Sequence, residues 1–422
     1  MIVETTTGRV RGAAVGEVTA FRGIPYARAQ RFAPPRPTLP WSGVRDALAP
    51  GPAAPQPPSR LENVMGPFEI RQSEDCLSLN IWAPRGSGHP VLIFVHGGGF
   101  SSGSGGLACY DGAELAARGD LVVVTVNYRL GALGFLRLPG VSDGNMGLLD
   151  QLSALRWVRD NIAAFGGDPE NVTVAGQSAG AMSILALLSG QSARGLFHRA
   201  ILQSTPAGMR PDGPDEAART GAMLLRELGI EPGAACGLTD VPVADLLAAQ
   251  VGVARRKPPS PVPPFQLVTD TLVAPDPVAT VGARGADGVR ILIGTTHDEA
   301  AAFFPDDRTT AEAITVQMFT EPTRRLARLL TAHAAPPWLY SFDWYPADSP
   351  FRACHCIELP FVLGNSAAWR HAPMLRGQHP SDLVDEVRDS WIGFARTGGP
   401  GWPRGTTHRF TQAVAPVELS KG

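Results

Sequence analysis

Residues 176–180 read Gly-Gln-Ser-Ala-Gly and place the hydroxyl of Ser178 between two glycines. A serine that attacks a substrate must project clear of its own backbone, and a sharp turn from a strand into a helix achieves this. The preceding NVTVAGQ suits a buried strand, and the following AGAMSILALLSG suits a buried helix of small apolar residues. The pattern predicts a nucleophilic Ser178 at such a turn. The alternative is a tight turn that only needs small residues.

A second glycine-rich stretch, FVHGGGFSSGS, follows another apolar run. Gly98 and Gly99 can turn their N–H groups inward because glycine has no Cβ. With the N–H of Ala179, they would form an oxyanion hole for acyl transfer. The alternative is a phosphate-binding loop of a dinucleotide fold. That loop requires G-x-G-x-x-G spacing at the start of a helix and an acidic residue for the ribose, and we identify neither here.

A serine nucleophile also needs an acid and a histidine later in the chain. Asp298 and Glu299 follow the strand-like run ILIGT, and strand ends gather reactive groups, although the pair would equally suit a helix cap. His297 is too close to these acids in sequence to be an easy partner, whereas His355 suits a partly buried loop. Chemistry alone does not choose among the histidines after the serine, at positions 198, 297, 333, 355, 371, 379 and 408.

Two cysteines, Cys354 and Cys356, flank His355 and raise the alternative of a metal site. We identify no second cluster at ligand spacing, so we predict no metal and no cofactor. The five cysteines of the chain are odd in number and unevenly spread, which favours a reducing, cytoplasmic location.

The elements that must position these residues form a repeated pattern. Continuous apolar runs such as PVLIFVHGG, DLVVVTVNYR and VRILIGT alternate with helical patterns such as GLLDQLSALRWVRDNIAAFGG. This alternation is typical of an α/β domain with a mostly parallel central sheet flanked by helices. GRVRG and VTAFRGIPYA are short alternating runs that predict β structure, and we expect a small antiparallel sheet near the N-terminus. The proline-rich stretches 34–58 and RRKPPSPVPPF predict irregular loops, the second covering a cleft or the surface. We expect one domain over residues 1–422.

The composition of the chain limits the classes of partner that it could bind. The net charge is −2 and hydrophobic residues make up 44% of the chain, as in an ordinary globular protein, so no bulk field attracts nucleic acid or an anionic membrane. No apolar run approaches the roughly 20 residues that span a bilayer. The opening MIVETTTGRV does not resemble a secretory signal. We therefore expect no membrane or nucleic-acid partner, and the oligomeric state is not indicated.

Segments along nearly the whole chain resemble the type-B carboxylesterase family, the cholinesterase-like branch of the α/β-hydrolases, and in particular its bacterial, para-nitrobenzyl-esterase-like members. In order they are FRGIPYA, EDCLSLNIWAP, HGGGF, NYRLGALGF, GNMGLLDQ, LRWVRDNIAAFGGDPENVTVAGQSAGA, ILQS, HDE, CHCIELPFV and FARTGGP. The resemblance implies the α/β-hydrolase fold and a serine carboxylesterase that cleaves small-molecule esters through an acyl-enzyme. It implies Ser178 as nucleophile, Glu299 as triad acid and His355 as base. It also implies the oxyanion hole Gly98, Gly99 and Ala179.

The resemblance also implies two structural ion pairs, Arg31 with Glu74 and Arg129 with Asp150. The alternatives are a catalytically weak or inactive relative that serves interactions, and a lactone- or amide-specific hydrolase with the same triad.

Several positions depart from the family's pattern. Gln177 replaces the usual glutamate before the serine, which argues against cationic substrates, and we identify no counterpart of the aromatic choline site. Ala300 replaces the glycine of D-E-G, and Cys76 has no upstream cysteine to pair with. The stretch from Glu299 to His355 is much shorter than usual, which predicts a reduced helical lid and a more open site.

Overall fold

The computed structural model describes residues 1–257, 262–363 and 365–411. Its main feature is a ten-stranded sheet in the spatial order β10-β9-β8-β7-β6-β4-β5-β3-β2-β1. The strands are β1 (Ala13–Val15), β2 (Val18–Pro25), β3 (Ser78–Ala83), β4 (His89–Val95), β5 (Val122–Val126), β6 (Gly167–Gln177), β7 (Arg199–Gln203), β8 (Arg290–Thr296), β9 (Trp338–Phe342) and β10 (Thr407–Phe410). All pairs from β5 through β4 to β10 are parallel, and the pairs among β5, β3, β2 and β1 are antiparallel. The prediction of a mostly parallel sheet is confirmed.

The central strands are buried on both faces, as their continuous apolar sequences require. In β4, Val91, Ile93 and Val95 join one hydrophobic core, whereas Leu92 and Phe94 join the other. The helices Met146–Asn161 and Ala179–Ser189 contribute to the first core, and the helices Ala113–Gly119 and Ser381–Thr397 contribute to the second. Helices therefore flank the sheet on both sides.

The predicted helix in GLLDQLSALRWVRDNIAAFGG spans Met146–Asn161 and continues as a 3₁₀ turn, Ile162–Phe165. Gly166 ends it with a φ of 84°, a left-handed conformation that glycine adopts without strain. The other α-helices are Glu62–Met65, Gly131–Phe135, Pro214–Glu227, Val243–Arg256, Pro277–Ala283, Arg308–Ile314, Glu321–Ala332, Leu359–Leu363 and Ser366–Trp369. Among the described residues, no helix is long and apolar enough to cross a membrane.

A small three-stranded sheet lies near the N-terminus. Ile2–Thr5 pairs antiparallel with Gly8–Arg11, as predicted, and Val44–Asp46 from the proline-rich stretch adds a parallel strand. The segment VTAFRGIP, predicted as β structure, forms β2 of the large sheet, where it pairs with β3. In the second proline-rich stretch, residues 258–261 lie outside the described residues, so the loop prediction there stays a prediction.

Both ion pairs implied by the resemblance are present as contacts. The guanidinium of Arg129 donates to both carboxylate oxygens of buried Asp150, at 2.7 and 2.8 Å, and also to the carbonyl of Ala33 at 2.7 Å. Arg31 binds Glu74 through two N–H groups in the same bidentate manner, at 2.5 and 2.9 Å. The Arg129 pair ties the start of the proline-rich stretch to the helix Met146–Asn161 beneath the sheet.

Candidate active site

The serine predicted as nucleophile occupies the turn between β6 and the helix Ala179–Ser189. The φ of Ser178 is 56° and its ψ is −123°, a conformation that L-residues rarely adopt. Its N–H donates to the carbonyl of Gln203 at 2.9 Å, and its carbonyl accepts from the N–H of Met182 at 2.9 Å. These bonds to β7 and to the helix hold the strained residue in place and leave its half-buried side chain facing a cavity.

The glycines on either side of the serine let strand and helix cross closely. A Cβ on Gly176 would lie 2.7 Å from the carbonyl carbon of Gly180, and a Cβ on Gly180 would lie 2.2 Å from the carbonyl oxygen of Val95. Both distances are too short for any side chain. The small residues of the motif are therefore required by the turn that presents Ser178.

The predicted acid and base meet at the carboxyl ends of the parallel strands. The Oε2 of Glu299 lies 2.5 Å from the Nδ1 of His355. The Oε1 of Glu299 accepts from the backbone N–H of Thr296 at 2.9 Å. The exposed fractions of the two side chains are only 0% and 1%. The backbone N–H of His355 donates to the carbonyl of Glu299 at 3.1 Å. Glu299 is thus fixed at both oxygens and orients the imidazole ring.

The neighbouring carboxylate, Asp298, contacts two other side chains, Arg352 and His297. It accepts from Arg352 at 3.0 Å and lies 3.1 Å from the Nδ1 of exposed His297. The geometry therefore brings together Glu299 and His355 from the candidates that the sequence left open. That they act as acid and base stays a prediction.

The other nitrogen of the imidazole faces Gln177. The Nε2 of His355 lies 3.1 Å from the side-chain amide nitrogen of Gln177, which is also 3.2 Å from the Sγ of Cys356. Because the Nδ1–H of His355 donates to Glu299, Nε2 carries a lone pair and accepts from the amide. Among the described residues, the Oγ of Ser178 has no hydrogen-bond partner. The imidazole of His355 is thus held by Gln177, in the cavity that Ser178 also lines.

The predicted oxyanion donors line the same cavity as Ser178 and His355. Gly98 has a φ of 110°, and a Cβ there would lie 2.0 Å from the carbonyl oxygen of Ser102. Within the described part of the chain, the N–H groups of Gly98, Gly99 and Ala179 donate no hydrogen bond to protein. They are therefore available to an anionic oxygen placed near Ser178.

Apolar side chains complete the cavity, whose volume is about 50 Å³. Ile314, Met318 and Phe319 come from the end of the helix Arg308–Ile314 and from a π-helical turn at Thr315–Thr320, a distortion often found at functional sites. Pro263, from the stretch predicted to cover a cleft, also lines it. A neighbouring cavity of about 360 Å³ shares Gly98 and other residues with it. The site therefore has a second space beside Gly98, lined by both polar and apolar residues.

Sequence reasoning assigned no role to Glu358, although it lies in the run CHCIELPFV. Its Oε1 accepts from the side-chain amide of Gln203 at 3.2 Å, and its Oε2 has no hydrogen-bond partner among the described residues. Burial, assisted by the charge of Glu299, raises the pKa of Glu358 to about 7. The H-x-x-E spacing from His355 was the available signal, but spacing alone does not reveal burial.

This raised pKa predicts a pH-dependent stability. An ordinary glutamate has a pKa of about 4.3, so between that pH and about 7 the folded state keeps a proton that the unfolded state has lost. The free energy of unfolding should therefore fall as pH rises through this window, by about 4 kcal/mol. Glu358→Gln, a neutral mimic, should remove this fall when unfolding is measured by denaturant titration from pH 4 to 8.

The matched control is Glu17→Gln, which changes an exposed glutamate. Its profile should parallel that of the unmodified chain. Parallel profiles for the Glu358→Gln variant and the unmodified chain would contradict the prediction.

Comparison with known proteins places these features in a family. The model of the Carboxylesterase family matches residues 1–311. A relative described as a probable N-octanoylanthranilate hydrolase, AqdA2 of Rhodococcus erythropolis, is 41% identical over 435 residues, covering 95% of this chain and 94% of the relative. The para-nitrobenzyl esterase of Bacillus subtilis (strain 168) is 38% identical over 454 residues, covering 95% of this chain and 92% of its own.

Solved structures give the same result. A PNB esterase is similar with a TM-score of 0.87 and 37% identity, covering 96% of this chain and 93% of its own. The carboxylesterase EST55 of Geobacillus stearothermophilus, at pH 6.2, is similar with a TM-score of 0.85 and 34% identity, covering 97% and 96%. The predicted α/β-hydrolase fold is thus confirmed. The alignment with the B. subtilis esterase spans more positions than the 422 residues of this chain, so that relative has segments without a counterpart here.

The family match covers most of the chain, and the full-length relatives are esterases and related hydrolases. The chain therefore belongs to the carboxylesterase family and is a carboxylic ester hydrolase.

Proposed function

We propose that the chain hydrolyses small-molecule carboxylic esters through a triad of Ser178, His355 and Glu299 and an acyl-enzyme intermediate. The observation that supports this most strongly is the 2.5 Å contact between Glu299 and His355, buried at the wall of the cavity that Ser178 lines. Asp298, the competing acid, is engaged with other side chains.

In the first half of the reaction, the Oγ of Ser178 attacks the ester carbonyl carbon while the Nε2 of His355 takes the serine proton. The imidazole must leave the amide of Gln177 to do so. Glu299 keeps Nδ1 protonated and stabilises the imidazolium. The negative charge that develops on the carbonyl oxygen is bound by the N–H groups of Gly98, Gly99 and Ala179.

The tetrahedral intermediate then breaks its bond to the alcohol oxygen, which takes the proton from Nε2 and leaves as the alcohol. Water enters, His355 removes a proton from it, and the resulting hydroxide attacks the acyl-enzyme. Collapse of the second intermediate releases the acid and returns the proton to the Oγ of Ser178. Every proton transfer uses His355, so the proposed chemistry requires no metal or organic cofactor.

A fluorophosphonate probe tests the role of the nucleophile directly, because it reacts with activated serines. We expect stoichiometric labelling of the folded protein at Ser178, located by peptide mass spectrometry. Ser59→Ala, which changes another serine of the same cavity, is the matched control and should label equally. Folded protein that does not label, or that labels at another residue, would favour the alternative of a non-catalytic interaction protein.

Hydrolysis of p-nitrophenyl esters from acetate to laurate gives the acyl preference. We expect turnover of short and medium chains, because the cavity at the serine is small and the neighbouring cavity adds volume. No turnover of any chain length by labelled protein would contradict ester hydrolysis of this kind.

We propose amide hydrolysis as the second candidate, on the strength of one relative. The R. erythropolis protein is described as a probable hydrolase of N-octanoylanthranilate and aligns with 95% of this chain. The same serine chemistry cleaves amides and esters, differing in the leaving group that His355 must protonate. Release of anthranilate from N-octanoylanthranilate, compared by kcat/KM with an octanoate ester, distinguishes the two preferences.

A further inference from the structure

Two arginines lie side by side where neighbouring strands of the large sheet begin. Arg199 is the first residue of β7 and Arg290 is the first residue of β8, and the two are paired in the parallel register. Both guanidinium groups converge on Gly398, which follows the helix Ser381–Thr397. A Cβ on Gly398 would lie within 3.0 Å of both the Nη1 of Arg290 and the Nε of Arg199. Two positive charges are therefore held close together.

The hydrogen-bond partners of these two side chains are neutral. The Nη1 of Arg290 donates to the carbonyl of Thr397 at 3.0 Å. The Nη1 of Arg199 donates to the Oδ1 of Asn171 at 2.5 Å. Within residues 1–257, 262–363 and 365–411, neither arginine forms an ion pair with a carboxylate. The protein therefore leaves the charge of this pair uncompensated.

Such an arrangement costs stability unless a further group compensates it. Like charges directly opposite each other on neighbouring strands repel. Burial, together with the charge of Arg290, lowers the pKa of Arg199. The Nε of Arg199 is buried, and in the described part of the chain it has no hydrogen-bond partner. Because buried donors in native proteins are nearly always satisfied, an orphan donor between two like charges indicates a ligand that accepts hydrogen bonds.

The two guanidinium groups define the chemistry of that ligand. Each presents its N–H donors in a rigid fork that matches the oxygens of phosphate or carboxylate. An anion with two charges and several oxygens can accept from both forks and cancel their repulsion. Phosphate has this charge and shape, whereas acetate and chloride carry a single charge. Arg290 is exposed, so a phosphate ester can bind in the same way with its organic group in solvent.

The pair lies far from the proposed catalytic residues in the topology of the sheet. Arg199 and Arg290 stand at the amino ends of parallel strands, whereas Ser178 follows the carboxyl end of β6. We propose that Arg199 and Arg290 form a phosphate-binding site that is separate from the active site. Phosphate bound there stabilises the folded chain, because it binds the native state and cancels the repulsion between β7 and β8.

Isothermal titration calorimetry with inorganic phosphate tests the proposal, at constant ionic strength maintained with sodium chloride. We expect the unmodified protein to bind one phosphate per chain. Arg290→Gln should raise the dissociation constant by about tenfold or more, the effect of losing a charged hydrogen bond. Arg290→Lys, which keeps the charge without the fork, should raise it less. Arg324→Gln removes an exposed arginine from the helix Glu321–Ala332 and is the charge-matched control, which should bind phosphate as the unmodified protein does.

Unfolding in urea gives a second readout. Phosphate should raise the urea midpoint of the unmodified protein and of the Arg324→Gln control, relative to chloride, and should leave that of Arg290→Gln unchanged. Glycerol 2-phosphate distinguishes the sources of the ligand. Binding as tight as that of phosphate assigns the site to phosphate esters, and weaker binding assigns it to the free ion.

Three results would overturn the proposal. They are no phosphate binding by the folded, unmodified protein, binding that Arg290→Gln leaves unchanged, and an equal loss after Arg324→Gln, which would indicate an adventitious ion only. Neither readout requires ester hydrolysis, so failure of this proposal and failure of the proposed function are separate results.

Discussion

Replacing Ser178 by alanine should lower kcat for 4-nitrophenyl butanoate by about a million-fold, the loss seen when a serine hydrolase loses its nucleophile. The substitution removes one oxygen atom and no hydrogen bond with the described residues. Alanine fits the same turn, because the backbone bonds to Gln203 and Met182 do not involve the side chain. Activity should therefore be lost without loss of the fold.

The measurement is kcat at high enzyme concentration, with a thermal melt of each variant. Residual turnover should still exceed that in water, because the N–H groups of Gly98, Gly99 and Ala179 remain. Ser59→Ala is the matched control, since it removes a hydroxyl from the same cavity, and its kcat should stay within about threefold. A Ser178→Ala variant that retains a tenth of the activity would end the serine mechanism.

Replacing Glu299 by glutamine should lower kcat by about ten-thousand-fold, the effect of the corresponding carboxylate-to-amide change in serine proteases. The N–H of Thr296 fixes one oxygen and would place the new amide nitrogen against the Nδ1 of His355. The Nδ1 of His355 must then accept a hydrogen bond from this amide, which moves the ring proton to Nε2. An Nε2 that carries a proton cannot take one from Ser178.

The adjacent carboxylate supplies the control. Asp298→Asn makes the same chemical change one residue away, at a side chain bound by Arg352 rather than by the imidazole. It should lower kcat by less than about tenfold, because it disturbs a half-buried ion pair and not the tautomer of His355. If Asp298→Asn costs more activity than Glu299→Gln, the assignment of the acid is wrong.

The sequence predicted the strands and the serine turn well because their signals are local. The run NVTVAGQ and the small residues after it fix β6, the turn and the helix within a few neighbouring positions. The choice of histidine was different. His355 meets Glu299 across 56 positions, and the loop that carries it turns through Cys356 at a φ of 76°. Neither feature has a local pattern, so only the resemblance singled out His355.

Contacts between distant segments explain what the sequence did not predict. The amide of Gln177 meets His355 across 178 positions, a contact that no local sequence pattern indicates. Val44–Asp46 forms a strand by pairing with the edge of Gly8–Arg11, and its own sequence does not indicate this pairing. VTAFRGIP was correctly predicted as β structure, but its pairing with β3 was not predicted, since pairing partners are a property of the fold.

The proposed oxyanion hole and the walls of the cavity are built from different parts of the chain. The donors of Gly98, Gly99 and Ala179 are main-chain atoms, whereas Ile314, Met318 and Phe319 contribute side chains from a separate helical segment. A point mutation changes a side chain and leaves an N–H in place, so natural variation can alter what this enzyme accepts without rebuilding how it reacts. A mutant library restricted to these three wall positions should consequently yield many active clones with new preferences, whereas one restricted to the glycine loop should yield almost none.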